Sequence, residues 1–195
     1  MFVMTIDQRG SRADVDRVDD LLADVADAAL VRRFERTAGD EVQAVADDPV
    51  TVARLCIYFA ASGFWSVGVG VGDVEEPLAP STRAGRGHAF EYARDAVEAS
   101  KSQRIPIAVR GDDDRWCTHA QTAARLISDV IAQRTEAGTE AVMMMRSGCT
   151  QARAANALGI TAQAMSQRLR SARWDIDDDA HSLVADLLRT ADGRQ

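Results

Sequence analysis

Apolar positions along the first hundred residues switch between two spacings, and the switches mark the elements. Residues 2–7 form a short apolar run of strand type, closed by a turn at Gly10 and Ser11. Val15, Val18, Leu22, Val25 and Ala29 then recur at threes and fours, which predicts an amphipathic helix, with Ser11 and Asp14 as its capping box. Residues 30–37 and 41–46 read as a hairpin around Ala38-Gly39-Asp40. Asp48-Pro49 opens a second helix whose apolar face is Val52, Leu55, Cys56 and Phe59. A Gly-interrupted strand over 64–71, a loop holding Pro77, Pro80 and Gly87, a helix over 88–100 and a strand over 105–109 complete this part. The order is β-α-β-β-α-β followed by α-β, and its first six elements are the split βαβ, or ferredoxin-like, order.

A long helix is expected over 116–137, with Ala120, Ala124, Ile127 and Ile131 on one face. The stretch 151–169 then has the pattern of a helix-turn-helix. Two short helices crossing steeply need a small residue where they touch, which Ala155 supplies, and a glycine at the turn, which Gly159 supplies. Leu158, Ile160, Met165 and Leu169 are the apolar anchors, and Thr161 suits the cap of the second helix. This pattern resembles region four of sigma factors and related regulators, in which the second helix enters the major groove. On that helix Ala162, Gln163, Ser166, Gln167 and Arg170 face outward. Gln pairs with adenine and Arg with guanine, while Arg153, Arg168 and Arg173 suit phosphates. A last amphipathic helix over 179–188, with Leu183, Val184, Leu187 and Leu188 on one side, is expected to pack on this module or on a second subunit. The expected organisation is α+β: a ferredoxin-like domain over 1–112, a connecting helix over 113–138, and an all-α helix-turn-helix module over 139–195.

Composition narrows the partners. With 195 residues, 46% hydrophobic and 27% charged, the chain falls in the ordinary globular range. No run approaches about 18 apolar residues and residues 1–6 are too short for the core of a signal peptide, so a cytoplasmic protein without membrane contact is expected. Cys56, Cys117 and Cys149 form no Cys-x-x-Cys spacing, which argues against a disulfide framework or a zinc site. The net charge of −7, from 23 basic and 30 acidic residues, taken whole disfavours a nucleic-acid partner. Its distribution changes that picture. Residues 139–174 carry Arg146, Arg153, Arg168, Arg170 and Arg173 against Glu140 alone, a net of +4, between a segment of −7 and a tail of −4.

The strand order also carries chemistry. Antiparallel first and third strands at the centre of the sheet bring the end of one beside the start of the other, so Asp7 meets Asp40 and Glu41. Converging carboxylates are costly unless paired, and hard oxygen ligands favour Mg²⁺ or Mn²⁺. A helix starting near Ser11 would point its free N–H groups into the same corner, where a phosphate is stabilised. Together these describe a site for a nucleoside triphosphate.

Asp7-Gln8-Arg9-Gly10-Ser11-Arg12, Gly39-Asp40-Glu41-Val42-Gln43, Val67-Gly68-Val69-Gly70 and Gly87-His88-Ala89-Phe90-Glu91-Tyr92-Ala93-Arg94 resemble the SatD-like family in motif and order. That family is similar to the palm domain of class III nucleotidyl cyclases and carries a C-terminal helix-turn-helix. The resemblance implies a nucleotidyl-cyclase-like palm with Asp7 and Asp40 as the metal-binding pair, Glu41 beside them, and Gly10, Ser11, Arg12 and Arg94 around the nucleotide. Three departures bear on turnover. Glu91 stands where those cyclases place an Asn that orients ribose, Arg94 is out of register with their transition-state Arg, and Lys101, the only lysine, is not in the early strand where a base-reading lysine is usual. Losing such groups costs orders of magnitude in rate, so the expectation is a palm that binds a nucleotide without turning it over.

The same residues have plainer uses. Asp7 can be a solvated strand end, Ser11 a helix cap, and Gly39-Asp40-Glu41 a hairpin turn. The Val67 to Gly72 repeat lacks dinucleotide-loop spacing, and close backbone packing along a strand explains it better. Asp112-Asp113-Asp114 and Asp177-Asp178-Asp179 read as solvated helix starts, and Met143-Met144-Met145 as a core or dimer face. The leading expectation is a homodimeric DNA-binding transcriptional regulator with a nucleotide-sensing palm. A metal-dependent nucleotidyl cyclase or transferase, and a dimeric protein-recruiting scaffold, are the alternatives.

Overall fold

Successive side chains of β1 (Phe2–Gln8) enter two different apolar environments: Phe2, Met4 and Ile6 on one face, Val3 on the other, all fully buried. A strand covered on both sides belongs at the centre of a sheet. β1 pairs antiparallel with β3 (Glu41–Ala46) on one side and with β4 (Trp65–Val71) on the other. β2 (Arg32–Ala38) lies outside β3, and β5 (Ile107–Gly111) runs parallel to β4, giving the order β2-β3-β1-β4-β5. A computed structural model describes residues 1–11 and 14–193 of this α+β chain.

One face of the sheet is covered by α1 (Val18–Asp24), α2 (Pro49–Ser62), α4 (Asp114–Ala132) and α8 (Asp177–Ala191), which share the main core with Phe2, Met4, Ile6, Val67 and Val69. α3 (His88–Lys101) covers the other face and lies directly on β4. Gly68 and Gly70 make that contact possible. A Cβ on Gly70 would sit 2.0 Å from the Ala89 carbonyl oxygen, and one on Gly68 would sit 2.3 Å from the Val97 nitrogen. Close backbone approach, rather than a nucleotide loop, is therefore the use of the Val-Gly repeat.

The first helix differs from the apolar spacing. It starts at Val18 and has seven residues, while Val15 is 65% exposed and Ala29 is exposed. The cause is the Gln8 side chain, which donates to the Val15 carbonyl and accepts from the Arg17 amide, occupying backbone groups of the segment before the helix. The Asp14 and Asp16 carboxylates accept from the Val15 and Val18 amides, a local alternative to the helical ladder. Ser11 stays in the turn after β1, and the cap position belongs to Arg17.

The helix expected over 116–137 is also interrupted. α4 ends at Ala132, and after three residues α5 (Glu136–Arg146) begins, with the Thr135 hydroxyl accepting from the Gly138 amide. With α6 (Gln151–Ala157) and α7 (Ala162–Ser171), α5 forms a three-helix unit around Ala141, Val142, Ala154, Ala155, Met165, Leu169 and Ala172. Met144 and Met145 pack on that core, and Met143 is 66% exposed.

The final helix corrects the expected grouping of residues 139–195. α8 packs on α2 and α4, burying Val184, Ala185, Leu188 and Ala191 in the core of the sheet domain, and leaves Leu183 54% exposed. Its small and branched stripe matches the α4 face made by Cys117, Ala120, Ala124 and Ile127. Asp177, expected in a solvated acidic run, is fully buried at the junction of the two units. Its carboxylate accepts from the guanidinium groups of Arg134 and Arg146, and Arg134 Nε donates to the Ala172 carbonyl at 2.8 Å. Burial alone would raise the Asp177 pKa; the two guanidinium groups outweigh it and hold the carboxyl below the usual carboxylate range.

Candidate functional site

The turn between α6 and α7 is built from its hydrogen bonds upward. Ile160 N donates to the Ala155 carbonyl and Gly159 N to the Asn156 carbonyl, the paired bonds of a Schellman ending. That ending requires a left-handed residue, and Gly159 supplies it at φ +65°. Thr161 then caps α7, its hydroxyl accepting from the Ala164 amide at 3.1 Å. Met165, completely buried, and Leu169 hold one side of α7 against α5 and α6.

The opposite side of α7 exposes Gln163, Gln167 and Arg170, with Ser166 half-buried beside them. Spacings of four and three residues place them in one stripe about 10 Å long, comparable with the roughly 12 Å width of the major groove. Arg153 on α6 is exposed, as is Arg173, which follows α7 in a left-handed conformation at φ +57°. Not every arginine of the basic stretch is available. Arg146 is committed to Asp177, and Arg168 is paired with Glu140 at 3.0 Å. Among the described residues, Arg153, Arg170 and Arg173 make no ion pair.

The carboxylate corner lies at the far end of β1. The register sets Asp7 directly opposite Glu41 on β3 and Ser66 on β4, with Asp40 in the adjoining turn. Lys101, in the last turn of α3, places its ammonium 2.5 Å from the Asp7 carboxylate and 2.5 Å from that of Glu98. The Glu41 carboxylate accepts from the Thr37 hydroxyl. Burial raises the Asp7 pKa despite the Lys101 bond, and the Asp40 and Glu41 charges push it the same way. Below these groups the buried Gln43 amide donates to Thr5 Oγ1 at 3.0 Å. No group of three or more His, Cys, Asp or Glu side chains among the described residues is placed to hold a metal ion.

The other expected nucleotide contacts are dispersed. Gly10 is an exposed turn residue at φ +68°, Ser11 is half-buried after it, and Arg12 lies outside the described residues. α1 offers no phosphate cradle, because its start is late and Asp16, Asp19 and Asp20 would repel an anion there. Arg94 is exposed on α3, two turns before Lys101 and on the same face. Sequence reasoning missed Lys101 as the partner of Asp7. The usable signal was its uniqueness among 23 basic residues together with Glu98 three positions before it. It also missed Arg134 and Asp177, whose pairing spans 43 positions and leaves no local pattern.

No family model, curated protein or solved structure matches the chain.

Proposed function

We propose that this protein is a DNA-binding regulator whose α7 enters the major groove as a recognition helix. The observation that carries the reading is the α7 stripe of Gln163, Gln167 and Arg170, presented by a three-helix unit with its own core and flanked by the unpaired Arg153 and Arg173. Gln163 and Gln167 suit adenine, Arg170 suits guanine, and Arg153 and Arg173 suit phosphates. Two copies on a two-fold operator are the expected arrangement. The antiparallel order β2-β3-β1-β4, with β1 central, supports a ferredoxin-like classification of the sheet domain. Its resemblance to a cyclase palm makes nucleotide sensing its proposed role. A thermal-shift panel of nucleotides, each with and without Mg²⁺ or Mn²⁺, tests that part, since a ligand of the native state raises Tm.

The DNA reading is tested by fluorescence anisotropy with genomic fragments over a range of salt. Arg170→Ala should weaken binding by about 1–3 kcal/mol and relax base preference at one position. Arg168→Ala should weaken it less, because Glu140 already holds that guanidinium. With two or three free arginines per copy, a bound dimer should give a log–log salt slope of about −4 to −5. No complex at low salt, or one indifferent to Arg153→Ala and Arg170→Ala, refutes the reading.

A further inference from the structure

We infer that the Lys101 ammonium is the resident cation of the carboxylate corner, standing where a divalent ion would otherwise bridge β1 and β3. Asp7 and Glu98 both hold it at 2.5 Å, so the ammonium is chelated by two carboxylates from different elements. The Asp7 side chain is only 17% exposed, faces Glu41 across the ladder and feels Asp40 as well, so the corner has a standing need for positive charge. Lys101 meets it from the end of α3, where the free carbonyls of a helix also favour a cation.

Residue type points the same way. Of the 23 basic residues, 22 are arginine, and the single lysine is the one seated on Asp7. A compact ammonium on a flexible stem fits between two carboxylates as a point charge, whereas a planar guanidinium demands a fork of acceptors. A divalent ion on Asp7 would have to expel this ammonium and then tolerate it nearby. The chemical consequence is specific. A tethered monovalent cation can attract a phosphate, but it has no open coordination positions with which to polarise one or to activate a hydroxyl. An anionic ligand taken at this corner therefore meets an ammonium, and not a divalent ion, at Asp7. The inference rests on Lys101 and the carboxylates of Asp7, Glu98, Glu41 and Asp40, and is independent of the DNA and nucleotide readings.

Two measurements on the full chain test it. The first is Mn²⁺ binding followed by electron paramagnetic resonance. Lys101→Met should bind Mn²⁺ at least about tenfold more tightly than the unsubstituted protein, because a unit positive charge has left the ligand sphere, and adding Asp7→Asn should abolish the gain. Equal Mn²⁺ affinity with and without Lys101 overturns the inference. Lys101→Gln serves if Lys101→Met melts early. The second uses the single lysine, which gives one side-chain ammonium resonance in a ¹⁵N-detected spectrum. That signal should be indifferent to a large excess of Mg²⁺ at constant ionic strength and should move in Asp7→Asn. Displacement of the signal by Mg²⁺ refutes the assignment whatever the fate of the variants.

Discussion

Replacing Asp177 with alanine should be among the most damaging single changes available. The substitution leaves the Arg134 guanidinium, 5% exposed, with a buried charge and no carboxylate, while Arg146, 48% exposed, can turn to water. Breaking a buried pair in this way costs about 3–5 kcal/mol. For a chain of this size that corresponds to a fall in Tm of roughly 10 °C. Arg146→Ala should cost less than about 1 kcal/mol, as expected for a half-exposed partner. Urea unfolding followed by circular dichroism reads both, and hydrogen exchange should show α5 to α7 losing protection first in Asp177→Ala. The pH dependence has a definite sign. Because the folded pKa of Asp177 is lowered, its contribution is complete above the ordinary carboxylate value of 3.8 and is lost as pH falls through the folded value. The stability gap between the unsubstituted protein and Asp177→Asn should hold constant from about pH 7 to pH 5 and close below about pH 4. An Asp177→Ala protein within 1 kcal/mol of the parent at pH 7 would falsify the buried-clamp account.

Two further outcomes follow from packing and burial. Gly70→Ala drives a Cβ to 2.0 Å from the Ala89 carbonyl, a backbone atom that cannot swing aside, so it should cost about 3 kcal/mol or more and lower the yield of folded protein; a neutral result in a thermal melt would mean that α3 does not lie on β4 as described. Burial pushes the Cys56 thiol up to about 12 and the Cys117 thiol up to about 11, while Cys149 is half-buried, so a thiol reagent at pH 8 should label Cys149 alone in the native protein. Rapid labelling of Cys56 or Cys117 under native conditions would contradict the core.

The helix-turn-helix was legible because its constraints are local. Ala155, Gly159 and Thr161 each answer a demand set within a few residues: a crossing, a left-handed turn and a cap. The strand order was legible for the same reason, since turns and periods follow one another along the chain. The misses came from contacts across it. Gln8 takes the Val15 and Arg17 backbone groups that would have begun an earlier helix, and no window of apolar spacing contains that competition. The α4–α5 break did have a local sign, Thr135 three positions before Gly138, but the apolar spacing runs past it. At the carboxylate corner the meeting of Asp7 with Glu41 was foreseeable from strand order, whereas the arrival of Lys101 depends on where the end of α3 comes to rest.

Because α8 returns to the sheet domain, the chain crosses between the two units twice, at residues 133–135 and again at 172–176. The helix-turn-helix is therefore an insertion within the sheet domain, not an appendage on a single tether. An appended unit can tumble at the end of its linker. An inserted one is gripped at both ends, here with Arg134 of the outgoing crossing bonded to Asp177 just past the returning one. Its orientation relative to the sheet becomes a property of the fold itself. It also means that one proteolytic cut at either crossing leaves the three-helix unit attached through the other, because α8 is held separately by its packing on α2 and α4.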